Sequence, residues 1–163
     1  MPSEKSHFPH SVFEQNHSDI SHELVQKLAL IADSYQRLTG QPLIDNPTPE
    51  TIWNAKRIIV AHGTELDPVF FYGNRMALEV FEMDFASFTR LPSRYSAEAP
   101  NREERARLLE RVSRDGFIND YSGVRISATG KRFRIEQAVV WNLLDGEGVI
   151  HGQAATFDRW RVL

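Results

Sequence analysis

The sequence predicts an α+β fold: a five-stranded antiparallel sheet covered on one face by helices, with an extra N-terminal helix. Three observations predict it. The apolar period changes from helical to alternating and back along the chain. Two short β-branched and aromatic runs near the middle are joined by a turn-rich loop. Three longer alternating runs close the chain, separated by turns at Thr129-Gly130 and Asp145-Gly146. A hairpin and a meander, each with one apolar face, need a partner layer, and the helices between them supply it.

Residues 1–17 lack periodicity and are expected to be a disordered arm. Their His7, His10 and His17, with His22 close behind, are irregularly spaced and form no metal-ligand pattern. Residues 18–50 hold a helix and a connector. Ile20, Leu24, Leu28, Ile31, Tyr35 and Leu38 recur every three or four positions, with Ser18 or Asp19 as the cap and Gly40 as the stop. The stripe is narrow enough to pack on its own domain or on a second copy, and Leu24, Leu28, Ile31 and Tyr35 are the candidate dimer face. After the connector, Thr48 caps a short helix with Pro49 at its first position, ending near Trp53.

Arg57–His62 and Val69–Tyr72 read as a hairpin. Asn74 caps the next helix, and Asp84 a further turn carrying Phe85 and Phe88. Asn101 and Glu104 resemble a capping box for a helix that ends at Gly116, with Leu108, Leu109 and Val112 inward. Tyr121–Ala128 alternates with Val124 and Ile126 on one side. Arg132–Leu144 places Phe133, Ile135, Val139, Trp141 and Leu143 on one face, and Val149–Phe157 is the last strand. Gln137 is the anomaly: strict alternation buries it with Phe133 and Ile135 unless a bulge turns it outward.

At 163 residues, 41% apolar and 25% charged, the chain reads as one globular domain. It contains no cysteine, which excludes disulfides, thiolate metal sites, cysteine nucleophiles and a flavin–cysteinyl photoadduct. No apolar run has membrane-spanning length and the first residues have no signal-like core, so the expectation is a cytoplasmic protein with no membrane contact. The net charge is −3, distributed as −6 over residues 1–89, +5 over 90–134 and −2 over 135–163. The basic third is expected to be a solvated helix and hairpin face, and no direct nucleic-acid partner is expected.

The strings DPVFFYGNRMALEVFEM, FTRLPSRYSAEAPNREERARLL, DGFINDYSGVRISATGKRFRIEQAVVWNLLD and HGQAATF resemble the MEKHLA domain. This is a PAS-like family found in bacteria and at the end of some plant homeodomain–leucine-zipper regulators. The resemblance spans residues 51–160. It implies a PAS-like sensory or protein-interaction module, here expected to be bacterial, homodimeric through its N-terminal helix and acting through a separate signalling partner. It carries no catalytic residues that could be transferred to this chain. PAS relatives hold haem, flavin, small acids or nothing visible, and a small organic ligand is the expectation here, with haem and flavin disfavoured.

The candidate polar groups for such a cavity are His62, Tyr72, Asn74, Tyr95, Asn142 and Gln153. Arg94 and Arg102, in the polar loop, are candidate anion-binding residues, although fixing that loop together with Glu98 is the favoured explanation of them. His62 and His151 are single strand histidines, better explained by hydrogen bonding than by haem ligation. No nucleophile elbow, P-loop, zincin or dinucleotide motif occurs. The enzymatic alternative is a cone of the ketosteroid-isomerase type. It needs a carboxylate facing an apolar cavity, and Glu136 alternates outward. The expectation is therefore a non-catalytic module.

Overall fold

The computed structural model describes residues 19–98 and 102–163. The arm at 1–17, its histidines, and the caps at Ser18 and Asn101 lie outside them. Helix α1 (Asp19–Thr39) ends at Gly40, whose φ of +77° suits a residue without Cβ. Helix α2 (Pro49–Trp53) opens with a capping box in which the Thr48 and Thr51 side chains each bond the other's backbone N–H. Strands β1 (Ile58–His62) and β2 (Phe70–Gly73) form the hairpin. Helices α3 (Arg75–Phe81) and α4 (Phe85–Phe88) start at the Asn74 and Asp84 caps. A 3-10 turn (Ser93–Ser96) leads toward helix α5 (Arg102–Asp115). Strands β3 (Phe117–Ile126), β4 (Arg132–Leu144) and β5 (Ile150–Phe157) form the meander. A short β6 (Arg159–Val162) continues past Asp158 and pairs with the first half of β4.

The hairpin and the meander join edge to edge, in the order β2-β1-β5-β4-β3, with every pair antiparallel. The join is β1 on β5, from Ile58 opposite Phe157 to His62 opposite Gln153. Gly152 makes that closeness possible: a Cβ there would sit 2.0 Å from the His62 carbonyl oxygen.

Gln137 resolves as a bulge. Its φ is +53° and its side chain is exposed. Between the pairs Gly123–Ile135 and Tyr121–Ala138, β4 spends one residue more than β3. The extra residue reverses the phase of β4. Phe133 and Ile135 therefore share a face with Ala138, Val140 and Asn142, while Val139, Trp141 and Leu143 face the other way. This corrects the expectation of one continuous apolar face from Phe133 to Leu143. On β3, the buried positions are Ile118, Tyr121, Gly123 and Arg125, with Val124 and Ile126 only half-buried. Val124 and Ile126 do share one side, as expected, and it is the less buried one.

The face carrying Trp141 is covered by α1. Trp141 is fully buried, edge-on to Tyr35 with ring centroids 4.9 Å apart, and its indole N–H donates to the Ile31 carbonyl at 3.3 Å. The Ser34 hydroxyl accepts from Leu144 N–H at 2.9 Å and lies within reach of the Leu30 and Leu144 carbonyls, at 2.6 and 3.1 Å. Arg37 also donates to the Leu144 carbonyl. Leu28 and Ile31 are buried in the domain core, with Leu24 and Tyr35 partly buried against it. The stripe read as a candidate dimer face is therefore largely spent on the chain's own sheet, because Trp141 and Leu143 would otherwise face water. On the opposite face, Phe70 stacks on Phe88 at 4.3 Å, and Phe81 bridges Phe88 and Phe133, tying α3 and α4 to the sheet.

The bulge is testable by denaturant unfolding. Gln137→Gly is expected to leave stability unchanged or raise it by up to about 1 kcal/mol, because glycine accepts a left-handed φ. Gln137→Val is expected to lower it by about 1–2 kcal/mol, since a β-branched residue resists that conformation. Equal midpoints for the glycine and valine variants would contradict the bulge.

Candidate ligand pocket

The inner face of the sheet and helix α5 enclose a cavity of about 70 Å³. Its floor is a cross-strand row, Val60–Ala155–Val140, followed by the pair His62–Gln153 of the next row, which Asn142 continues. Its roof is the buried side of α5, where Arg105, Leu108 and Val112 recur at helical spacing. Its far wall is β3, with Tyr121 and Arg125. Gly123 shapes this wall: a Cβ there would lie 2.1 Å from the Tyr121 hydroxyl oxygen, so glycine lets the Tyr121 ring lie back along the strand. The Arg125 guanidinium then sits 5.3 Å from that ring's centroid.

Two of the sequence candidates border this cavity. His62 bonds the Gly63 carbonyl through Nδ1 at 2.9 Å, and its Nε2 is buried without a hydrogen-bond partner. Burial holds the imidazole below its ordinary pKa, the Gly63 bond opposes that shift, and the Arg105 charge adds to it. Gln153 donates from Nε2 to the Leu109 carbonyl, the Ser113 hydroxyl and the Asn142 Oδ1, leaving Oε1 buried without a partner. Asn142 lies in the same row, but its amide donates to the Val112 carbonyl at 3.1 Å and docks the end of α5 instead of facing the cavity.

The other candidates lie elsewhere. Asn74 is a buried structural hub: Oδ1 accepts from Ile59 and Ala77 N–H at 3.1 and 3.2 Å, and Nδ2 donates to the Ile52 and Arg57 carbonyls at 3.1 and 2.8 Å. Tyr72 is fully buried beside Phe85, with its hydroxyl unpartnered and its pKa pushed up by burial, outside the cavity lining. Tyr95 is 43% exposed, with Arg94 stacked on its ring. Arg94 pairs with Asp67 at 3.0 Å on the surface and Glu98 with Arg132 at 3.5 Å, so this loop is a scaffold where described. The Arg102 side chain lies outside the described residues. His151 is exposed and pairs with Asp145 across the last turn, because the Gly152 irregularity turns it away from the core. No group of three potential metal-ligating side chains occurs among the described residues.

Two cavity residues escaped the sequence reading: Arg105 and Arg125, each only 8% exposed. Both belong to the basic stretch read as a solvated face, which for these two is a correction. For Arg105 the signal was available, three residues before Leu108 on the inward stripe. Arg125 was hidden by the bulged register of β3 and β4.

An antiparallel sheet of this order, with helices packed on it and a small cavity beneath α5, defines a PAS-like domain. Solved structures agree on the fold. A PAS domain from Colwellia psychrerythraea matches with a TM-score of 0.57 at 11% identity, over 70% of this chain and 92% of that one. The light-state dimer of the fungal blue-light photoreceptor Vivid matches at 0.56 and 10% identity, over 77% of this chain and 89% of that one. Within that class the chain belongs to the MEKHLA domain family, whose model matches residues 25–162 and so takes in most of α1.

Curated relatives include the homeobox-leucine zipper proteins ATHB-14 and REVOLUTA of Arabidopsis thaliana, 24% and 22% identical, each over 86% of this chain. HOX10 of Oryza sativa is 24% identical over 67% of the chain. This chain spans only 18% of the length of the first two and 13% of the third. These relatives correct two expectations, a bacterial setting and a function apart from nucleic acid: they are plant proteins whose names carry a homeobox. None of the three is named for a catalytic activity. No helix among the described residues is long and apolar enough to cross a membrane.

Two predictions separate scaffold from pocket. Asn74→Ala strands four backbone groups and is expected to cost roughly 2–4 kcal/mol in denaturant unfolding; a loss below about 1 kcal/mol would remove it from the scaffold. His62 has a folded pKa below its ordinary 6.5, so the unfolded chain binds more protons once pH drops into that window. Stability should then fall with decreasing pH from about 7 downward, with a limiting slope of about 1.4 kcal/mol per pH unit. His62→Gln should flatten the profile between pH 7.5 and 5.5, and parallel profiles for the two proteins would contradict a buried neutral imidazole.

Proposed function

We propose that the chain is a sensory and interaction module that takes a small molecule between α5 and the sheet and performs no chemistry on it. The observation that carries this reading is a pair of buried polar atoms, His62 Nε2 and Gln153 Oε1, that border one cavity and have no hydrogen-bond partner among the described residues. Both are acceptors, because His62 Nδ1–H donates to the Gly63 carbonyl, so water held with a bound molecule would supply their donors, and the occupied space would bias how α5 rests on β3 and β4. That is the differential contact a population shift requires.

A haem or flavin fits poorly. The cavity of about 70 Å³ is several-fold smaller than the roughly 300 Å³ or more of sites for larger ligands. The chain also has no cysteine to form a photoadduct. The cone-type enzyme alternative lacks its base, because no Asp or Glu stands among the residues lining the cavity.

Native mass spectrometry of the full chain tests the reading. A retained small mass, released on denaturation, is expected for the wild type and should be absent from Ala138→Val, whose added methyl groups enter the cavity. A wild type with no retained mass, or retention unchanged in a folded Ala138→Val variant, would overturn it.

A further inference from the structure

We propose that the cavity's ligand is a small monocarboxylate of two to four carbons, its carboxylate held by Arg105 and Arg125. This rests on the preceding reading and names its ligand chemistry. Arg105, from α5, donates to the Ser93 hydroxyl, and Arg125, from β3, donates from one guanidinium nitrogen to the Val124 carbonyl at 2.9 Å. Neither forms a salt bridge among the described residues. A guanidinium carries five N–H donors, so each keeps most of its donor capacity for something else.

The local charge is one-signed. Burial, then the Arg125 charge, pulls Arg105 down to about 10, so it still carries its proton at neutral pH. The groups whose fields raise Arg105 are Tyr121 and, after it, Asp67, whose carboxylate is bonded to Arg94 at 3.0 Å. Two like charges that are nine-tenths buried, with no carboxylate paired to either among the described residues, form a site built for an anion. Forked guanidinium donors match the planar, two-oxygen geometry of a carboxylate. The rest of the lining favours an acid with a short tail: Leu108, Ile135, Ala138 and Val140 offer only hydrocarbon. A phosphate would want donors on every side, and chloride would leave the apolar part of the space empty.

The test uses the full chain, with titration calorimetry and thermal unfolding at constant ionic strength. The probes are acetate, propionate and butyrate, compared with propionamide, chloride and inorganic phosphate. A carboxylate is expected to bind and raise Tm by several degrees at saturation. Propionamide and the inorganic ions should bind at least tenfold more weakly. Arg125→Met and Arg105→Met should each lose tenfold or more in carboxylate affinity, and Arg125→Met should hold or raise the Tm of the ligand-free chain. A purely structural Arg125 would give the reverse: a lower Tm in Arg125→Met and no response of the wild type to any carboxylate. Should a Met variant fail to fold, Arg125→Lys keeps the charge but loses the fork, and tenfold weaker carboxylate binding is expected of it. Propionamide or chloride binding as tightly as propionate would overturn the carboxylate assignment while leaving the cavity reading intact. No binding of acid or amide, with no mass retained in the native spectrum, would overturn both.

Discussion

The bulge at Gln137 sets where everything else can go. A strand side chain alternates strictly, so one inserted residue exchanges the two faces for all that follows. Ahead of the bulge, Phe133 and Ile135 face α3 and the cavity; beyond it, Trp141 and Leu143 face α1. Without that exchange the second half of β4 would present Trp141 to the ligand space and leave α1 nothing to cover. The single unfavourable backbone conformation at Gln137 is thus the local condition for a sheet with helices on both sides.

The two sides differ in how completely they are filled. Between α1 and β4 the packing is closed by a large aromatic pair, and Ser34 attaches the helix to the end of the strand. Beneath α5 the floor includes the small side chains Ala138, Val140 and Ala155, so the helix rests on them with space remaining. The polar groups there divide by role. Asn142 and one end of Gln153 hold α5 by its C-terminal carbonyls, while His62 and the two arginines surround the gap. That division couples the gap mechanically to the helix that roofs it.

Much of the fold was legible in the chain because local chemistry marks it. Thr48, Asn74 and Asp84 cap helices as their side chains predict; Gly40 ends α1, and the Asp145 turn joins β4 to β5. The candidate site was less legible. His62 and Gln153 follow from alternation on β1 and β5, whose mutual register is regular. Asn74 was open to a pocket role because an amide's partners depend on where Ile52 and Arg57 lie, and those are distant in sequence. Arg105 and Arg125 were read as solvated because charged residues in a basic stretch usually are.

By itself, the sequence determined the succession of helices and strands, their caps and turns, the absence of thiol chemistry and membership of a PAS-like family. These depend on period, capping chemistry and composition, which act over a few residues. Tertiary structure alone decided that α1 covers the chain's own sheet, that β3 turns Arg125 inward and that two guanidinium groups share one cavity. Each of those follows from register across strands, where a one-residue shift costs little locally and reverses every side chain beyond it.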